Sequence, residues 1–247
     1  MAPDRRAGFR SSCLVLDFDG TVLDTEGSLY RSWVELWDDH GELLDLGDWQ
    51  RTIGTEDSFD PWAELEARLG RPLDPGLGHR RRQRRDEIQS LLGPRPGVME
   101  WLAEAADLGL PVGIASSSPA DWVEGHLERI GIRPRFATVV GRGEGVPAKP
   151  DPTSYRLACA RLGADSARSL AVEDSPHGVA AAVAAGLYTV AVPHPLTRDL
   201  DLSAADVVLD SLEALPLAEA VERAWRRSPT DRSGRRTGAV SRSMPGC

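Results

Sequence analysis

The sequence has 247 residues, of which 41% are apolar and 27% charged, a composition typical of a globular protein with one sizeable core and a smaller satellite. Its formal net charge of −9 argues against nucleic acid as the main partner. We find neither a membrane-spanning apolar stretch nor a signal-peptide core, so we expect no membrane partner. Three cysteines, Cys13, Cys159 and Cys247, form no pattern of pairs and favour a reducing, cytoplasmic location.

The first predicted element is a buried parallel strand over residues 14–16. Two carboxylates, Asp17 and Asp19, follow it directly, and Gly20 and Thr21 turn the chain. Ligands of open α/β sheets bind beyond the carboxyl ends of the strands, so chemistry is expected here. Two neighbouring acids are costly unless a cation neutralises them, and hard oxygen ligands suit Mg²⁺. The alternative is an acidic loop without catalytic function.

Residues 24–93 show no convincing strand pattern and instead carry apolar residues at helical spacing. The pattern predicts a helical insertion with a further helix over residues 80–92. Its tryptophans either pack small helices together or line a substrate pocket; they are Trp33, Trp37, Trp49 and Trp62. The basic run 79–85 is either a solvated face or a patch that steers an anionic substrate.

A second apolar strand, residues 111–115, ends in three serines before a predicted helix over residues 120–130. A hydroxyl at a strand end, beside the backbone N–H groups that open a helix, is a reasonable phosphate cradle. The alternative is that the serines only cap the helix, as we expect for Ser118.

Lys149 is the only lysine, whereas the chain contains 28 arginines. Its place in a proline-rich loop, before a predicted helix over residues 153–162, suggests a position that needs a compact ammonium group. The alternative is that Lys149 has no special role and remains by chance in a chain that otherwise uses arginine.

A third strand, residues 169–172, ends in Glu173 and Asp174 and precedes an alanine-rich helix over residues 177–185. These acids are expected to face the same metal, although Asp174 is also a reasonable helix N-cap. The alternation continues through strands at residues 189–192 and 207–209, and a last helix is expected over residues 212–225.

In this order, the four segments resemble the haloacid dehalogenase superfamily, in its phosphatase and phosphomutase branch. The resemblance covers roughly residues 12–215 and is carried by Asp17-Phe18-Asp19-Gly20-Thr21, Ser116, Lys149-Pro150 and Glu173-Asp174. It implies an α/β fold, a Rossmann-like doubly wound parallel sheet with an inserted all-helical cap.

The expected division of the chain follows from this resemblance and from the helical insertion. Residues 1–26 and 94–225 are expected to form the core, and residues 27–93 the cap. The last segment, residues 226–247, carries six arginines and one aspartate and is expected to be a disordered basic tail.

The resemblance also implies roles for individual residues. Asp17 would be the nucleophile that forms an aspartyl-phosphate, and Asp19 the general acid and then base. Mg²⁺ would be bound by Asp17, the backbone carbonyl of Asp19, and Asp174. The phosphoryl group would be held by Ser116 and Lys149. Four further residues are expected close to the substrate: Gly20, Thr21, Ser117 and Glu173.

Three functions compete at this level. The first is Mg²⁺-dependent hydrolysis of a small phosphate monoester, such as a sugar phosphate. The second is a β-phosphoglucomutase-like isomerase, but the histidine and the cap-loop arginine of such mutases are missing from residues 26–30 and 53–58. The third is a non-catalytic binding module, which is disfavoured because no catalytic position has been lost. The physiological substrate and the oligomeric state are not indicated.

Overall fold

A computed structural model describes residues 11–51, 53, 59–143 and 145–226 of the chain. The predicted tail therefore lies outside the described residues, apart from Arg226. Of the acidic cap loop at residues 53–58, Ile53 alone is described. Among the described residues, no helix is long and apolar enough to cross a membrane.

The centre of the fold is a six-stranded parallel sheet with the order β3-β2-β1-β4-β5-β6. Its strands are β1 (Leu14–Leu16), β2 (Val112–Pro119), β3 (Thr138–Arg142), β4 (Leu170–Glu173), β5 (Tyr188–Ala191) and β6 (Val207–Val208). The strand order reverses direction at β1, and ligands of such sheets bind at this switch point.

Nine helices and three short 3₁₀ turns complete the regular structure of the described residues. The helices are α1 (Thr25–Asp38), α2 (Leu46–Gln50), α3 (Pro61–Leu69), α4 (Pro75–Ser90), α5 (Val98–Leu108), α6 (Ala120–Arg129), α7 (Thr153–Arg161), α8 (Pro176–Ala185) and α9 (Leu217–Arg226). The 3₁₀ turns are Arg133–Arg135, Ser166–Arg168 and Leu212–Ala214.

Both faces of the sheet are buried, because alternate residues of each central strand enter different cores. Leu14 and Leu16 of β1 belong to the larger apolar cluster, whereas Val15 packs into a second cluster with residues of α7 and α8. Side chains that alternate between two buried faces explain why the strands read as continuous apolar runs. The predicted doubly wound parallel sheet is confirmed.

The helices α1 to α4 lie between β1 and β2 in sequence, and none of the described residues from Thr25 to Ser90 belongs to a strand. They have an apolar core of their own, in which Trp37 and Trp49 are buried while Trp33 and Trp62 pack at its edge. The helical insertion is therefore confirmed, and these tryptophans pack the small helices together.

Several element predictions need correction. The last predicted helix, residues 212–225, is a 3₁₀ turn followed by α9, because Pro216 interrupts it. Ser118 does not cap α6: β2 continues through it, and the residue before the helix is Pro119, without a side-chain capping bond. The strand β3 was not predicted, because its apolar run before Gly141 has only two residues, Val139 and Val140.

Candidate active site

The predicted acids converge at the carboxyl ends of two neighbouring strands. The strands β1 and β4 are paired so that Leu16 lies opposite Val172. One residue further on, the Asp17 N–H donates to the Val172 carbonyl at 2.9 Å. This pairing brings Asp17 beside Glu173 and Asp174, although about 155 residues separate them in sequence. All three side chains are buried.

Lys149 reaches this group of acids from the loop that precedes α7. Its ammonium nitrogen Nζ donates to Asp17 Oδ1 and, at 2.6 Å, to Glu173 Oε1. Only 5% of Lys149 is exposed. Its backbone N–H donates to Ser117 Oγ at 3.1 Å, so the end of β2 fixes the loop. Ser117 thus holds the loop that carries Lys149.

Glu173 uses both carboxylate oxygens inside the protein. Oε1 accepts from Lys149 and, at 2.6 Å, from the hydroxyl of Tyr155. Oε2 accepts from the Asp174 backbone N–H at 3.1 Å and from the Ser175 hydroxyl at 3.4 Å. Glu173 is fully buried, so its place is behind Lys149, where it orients the ammonium group.

The cluster carries more negative than positive charge. Asp17, Glu173 and Asp174 face a single lysine, which leaves two negative charges when all are ionised. Burial raises the pKa of Asp17 well above its usual value, against the lowering effect of Lys149. Burial also opposes the charged form of Lys149, but Asp17 and Glu173 outweigh it and raise the pKa of the ammonium group.

Two features of the cluster fit a divalent cation. Ligand oxygens of Asp17, Glu173 and Asp174 lie within 4.8 Å of one another. Asp174 Oδ2 is buried and accepts no hydrogen bond from the described residues, so its lone pairs are available to a cation. Carboxylates are the ligands that Mg²⁺ prefers, and a charge of +2 would balance the cluster.

The environment of Asp174 is tightly packed. Gly20 has a φ of +86°, and a Cβ atom there would lie 2.4 Å from Asp174 Oδ2, so only glycine fits this turn. Thr21 donates its hydroxyl to Asp174 Oδ1 at 3.3 Å. Gly20 and Thr21 therefore hold the Asp174 carboxylate in position. Asp174 is not the helix N-cap, because Ser175 takes that role by accepting from the Gly178 N–H.

Asp19 lies on the other side of Asp17 and is held by three donors. Its Oδ1 accepts from the Thr25 hydroxyl at 2.6 Å and from the Trp122 indole at 3.2 Å. Its Oδ2 accepts from Ser116 Oγ at 3.3 Å. The Ser116 hydroxyl also accepts from the Ser118 N–H at 2.9 Å. The side chain of Asp19 lines an open cleft between α1, α4 and α6.

The sequence did not single out four supporting residues: Thr25, Trp122, Tyr155 and His194. Thr25 begins α1 directly after the Asp24 cap, a position that suggests only a helix start. His194 is buried, with its Nε2 atom 3.1 Å from Asp174 Oδ2, although the two atoms do not form a well-directed hydrogen bond. No local pattern marks it, because it follows β5, far from the acids in sequence.

Comparisons with known proteins agree with this geometry. The family model of the haloacid dehalogenase-like hydrolases matches residues 12–186. A relative in Bacillus subtilis (strain 168), named "Putative phosphatase YhcW", is 39% identical over 206 residues, which are 83% of this chain and 94% of that protein.

Solved structures show the same fold. A family hydrolase from Deinococcus radiodurans R1, with bound phosphate and sodium, superposes with a TM-score of 0.71 and 26% identity over 86% of this chain and 97% of that chain. A variant of CbbY from Rhodobacter sphaeroides, in complex with xylulose-(1,5)bisphosphate, has a TM-score of 0.66 and 26% identity over 85% of this chain and 99% of its own. The chain belongs to the haloacid dehalogenase-like hydrolases, and the expectation of an enzyme of the phosphatase type is confirmed.

Proposed function

We propose that the protein hydrolyses a small phosphate monoester, with Mg²⁺, through an aspartyl-phosphate on Asp17. The observation that carries this proposal is the pairing of Asp17 with Lys149, beside an Asp174 oxygen that accepts no hydrogen bond from the described residues. Such a site holds a nucleophilic carboxylate, a fixed positive charge and a place for a cation within a few ångströms. Phosphoryl transfer needs mainly this combination of positioning and charge neutralisation.

The first half-reaction uses both aspartates. A carboxylate oxygen of Asp17 attacks phosphorus, the bond from phosphorus to the leaving oxygen breaks, and Asp19 donates its proton to that oxygen. Thr25 and Trp122 support this role of Asp19, because they direct its carboxyl group towards the cleft. Lys149 would neutralise charge on the transferring group, and the Ser116 hydroxyl, which donates to Asp19 in this structure, would turn its hydrogen to the phosphoryl group.

The second half-reaction regenerates the enzyme. Asp19, now a carboxylate, takes a proton from water, and the water oxygen attacks phosphorus. The bond between phosphorus and the Asp17 oxygen then breaks, which releases inorganic phosphate and restores the Asp17 carboxylate. Microscopic reversibility requires Asp19 to serve as acid in one step and base in the other.

The residues proposed to hold Mg²⁺ are Asp17, Asp174 and the backbone carbonyl of Asp19. When bound, the cation would neutralise phosphate charge and fix the substrate in line with Asp17. Glu173 is proposed as a positioning residue for Lys149, because all its oxygens are already engaged. We also propose that residues 27–93 act as a cap over the cleft that Asp19 lines.

A cytoplasmic location forms part of the proposal. Cys13 and Cys159 are both buried free thiols, and their sulfur atoms lie 3.7 Å apart without being bonded. Free thiols at this separation favour a reducing compartment.

A phosphomutase is the second candidate, because a β-phosphoglucomutase from Clostridium difficile shares the fold at a TM-score of 0.62 and 21% identity. Such mutases would have a histidine near residues 26–30. The cleft beside Asp19 is instead lined by Leu29 in this segment, and no histidine lines it among the described residues, so hydrolysis is favoured.

A screen of phosphorylated metabolites tests the proposal. Purified protein is incubated with each compound in Mg²⁺ or in excess chelator, and phosphate release is measured. Conversion of glucose 1-phosphate to glucose 6-phosphate is followed separately. We expect Mg²⁺-dependent phosphate release. Release from none of the monoesters, or isomerisation faster than release, would contradict the hydrolase proposal.

A further inference from the structure

The cleft beside Asp19, which we call the Asp19 cleft, opens towards solvent and has a volume of about 100 Å³. Its walls include Glu26 from α1, Arg85 and Gln89 from α4, and Trp122 from α6. The leaving group of a substrate attacked by Asp17 must lie on the side of Asp19, because Asp19 protonates it. The walls of this cleft therefore face the leaving group.

Gln89 is the most informative of these residues. It is only 3% exposed, yet its side-chain amide makes no hydrogen bond to any of the described residues. The amide oxygen and nitrogen keep contact with the water of the cleft, so they are free to bind a polar group there. Gln50 shows how a glutamine is satisfied elsewhere in the protein, because its amide donates to the Leu196 carbonyl at 2.8 Å. The Gln89 amide lacks such a partner and lines the cleft.

Glu26 repeats this pattern on the opposite wall. Its half-buried carboxyl group also makes no hydrogen bond to a described residue. Burial, with Asp19, Asp174 and Asp24 nearby, raises the pKa of Glu26 to about 8. The raised pKa favours the protonated carboxyl group, which offers a donor as well as an acceptor.

The charged residues that line the Asp19 cleft do not favour a second phosphate group on the substrate. Arg85 is the cation on its walls, but both its Nε and Nη2 atoms donate to Asp86 Oδ1, at 2.9 and 2.7 Å. The guanidinium also lies 5.5 Å from the centre of the Trp122 ring. Because Asp86 compensates Arg85, a second phosphate would meet the acid Asp19 without a free positive partner among the described residues that line the cleft.

We propose that Gln89 and Glu26 bind hydroxyl groups of the leaving group, so that the substrate is a monophosphate of a small polyol or sugar. An amide and a carboxyl group that each donate and accept are suited to neutral hydroxyls, and the apolar face of Trp122 is suited to the C–H surface between them. This inference rests on the proposed phosphatase function and narrows its substrate class.

The test compares matched substrates in a matched pair of variants. The substrates are open-chain and cyclic polyol monophosphates of three to six carbons, each beside the alkyl phosphate of equal length that lacks hydroxyls. The variants are Gln89→Leu and, as control, Gln83→Leu, the same change at an exposed position of α4. The quantity measured is the ratio of kcat/KM for the best polyol phosphate to that for its alkyl counterpart.

We expect the wild type and Gln83→Leu to share a large ratio in favour of the polyol phosphate. In Gln89→Leu the ratio should fall about tenfold or more, because a site built to bind a hydroxyl discriminates through that hydrogen bond. Gln89→Glu should restore part of it by keeping an acceptor. Thermal melts of each variant establish that the fold is kept.

Three results would overturn the inference. In the first, the wild type does not distinguish the two substrates. In the second, Gln89→Leu lowers both values of kcat/KM equally, as a purely structural role would. In the third, a sugar bisphosphate is preferred. These outcomes require measurable hydrolysis of some monoester; if the wild type releases phosphate from none, the proposed function itself has failed.

Discussion

The ammonium group of Lys149 and the carboxylate of Glu173 meet at 2.6 Å in a position that leaves Glu173 fully buried. The same Glu173 oxygen accepts from the Tyr155 hydroxyl. Lys149 is therefore held from behind by Glu173 while it contacts Asp17 in front. The orientation of the Lys149 ammonium group therefore depends on Glu173 and Tyr155, which need not contact the substrate.

We expect Glu173→Gln to lower kcat by about 10- to 100-fold, since supporting residues around a charged site commonly contribute that much. Tyr155→Phe should have a smaller effect, because it removes only one of the bonds to Glu173. Steady-state kinetics and thermal melts would test both variants against Glu100→Gln, an exposed control. Full activity of Glu173→Gln would contradict the proposal that Glu173 positions Lys149.

We expect Lys149→Arg to lose most of its activity although the charge is kept. The side chain is 4% exposed, lies between two carboxylates and is 5.0 Å from the centre of the Tyr155 ring, so a longer planar guanidinium has little room. The comparison is turnover beside a thermal melt, with Arg156→Lys as the reverse exchange at an exposed position. A fully active Lys149→Arg enzyme would mean that any compact or planar cation suffices.

The metal predictions concern Asp174 and its neighbour His194. Chelation should stop activity, and Mg²⁺ should restore it better than Ca²⁺, which prefers more ligands and looser geometry. Asp174→Ala should raise the Mg²⁺ requirement sharply. His194→Ala should weaken Mg²⁺ binding about 10-fold, because it removes the buried imidazole ring that packs against the Asp174 carboxylate and limits its movement.

Calorimetric titration with Mg²⁺ and the shift in Tm on adding Mg²⁺ would check both variants, with His79→Ala as an exposed control. If Asp174→Ala bound Mg²⁺ as tightly as the wild type, Glu173 or another acid would have to replace Asp174 among the proposed ligands.

The raised pKa of Glu26 predicts a pH dependence of stability. In the unfolded chain the carboxyl group ionises near its usual pKa of about 4.3, and in the folded, metal-free protein near about 8. Between these values the folded state holds the proton that the unfolded state has lost, so the stabilisation present at low pH is lost as pH rises to about 8.

Glu26→Gln should therefore gain stability relative to the wild type between pH 5 and pH 8.5, by about 2–4 kcal/mol once solvent screening is allowed for. Urea unfolding in chelator at both pH values measures this difference, and Glu100→Gln serves again as the control. A constant difference between Glu26→Gln and the wild type would show that Glu26 ionises normally.

The sequence was sufficient for the parts of the site that lie directly after strands. Asp17, Asp19, Glu173 and Asp174 all follow apolar runs, and parallel strands bring their carboxyl ends to one edge of the sheet. The position of Lys149 could be suspected because the residue type itself is rare in this chain.

The remaining parts depend on packing between distant segments, which no local pattern encodes. Trp122 reaches Asp19 across 103 positions of sequence, and the Tyr155 hydroxyl meets Glu173 only because α7 packs beside β1. Gln89 was not singled out, since a glutamine in a basic helix reads as a solvated residue. Similarly, the bond from the Lys149 backbone N–H to the Ser117 hydroxyl oxygen could not be read from the sequence, because it joins residues 32 positions apart.

The most direct test of the central claim is the turnover of Asp17→Asn, measured beside rapid-quench mass spectrometry of the wild type. We predict that the wild type carries a phosphoryl group on Asp17 during turnover, and that Asp17→Asn releases no phosphate above background, because an amide cannot form the acyl-phosphate. If Asp17→Asn kept more than about a tenth of the wild-type rate, a loss of only about 1.4 kcal/mol in barrier, Asp17 would not be the nucleophile.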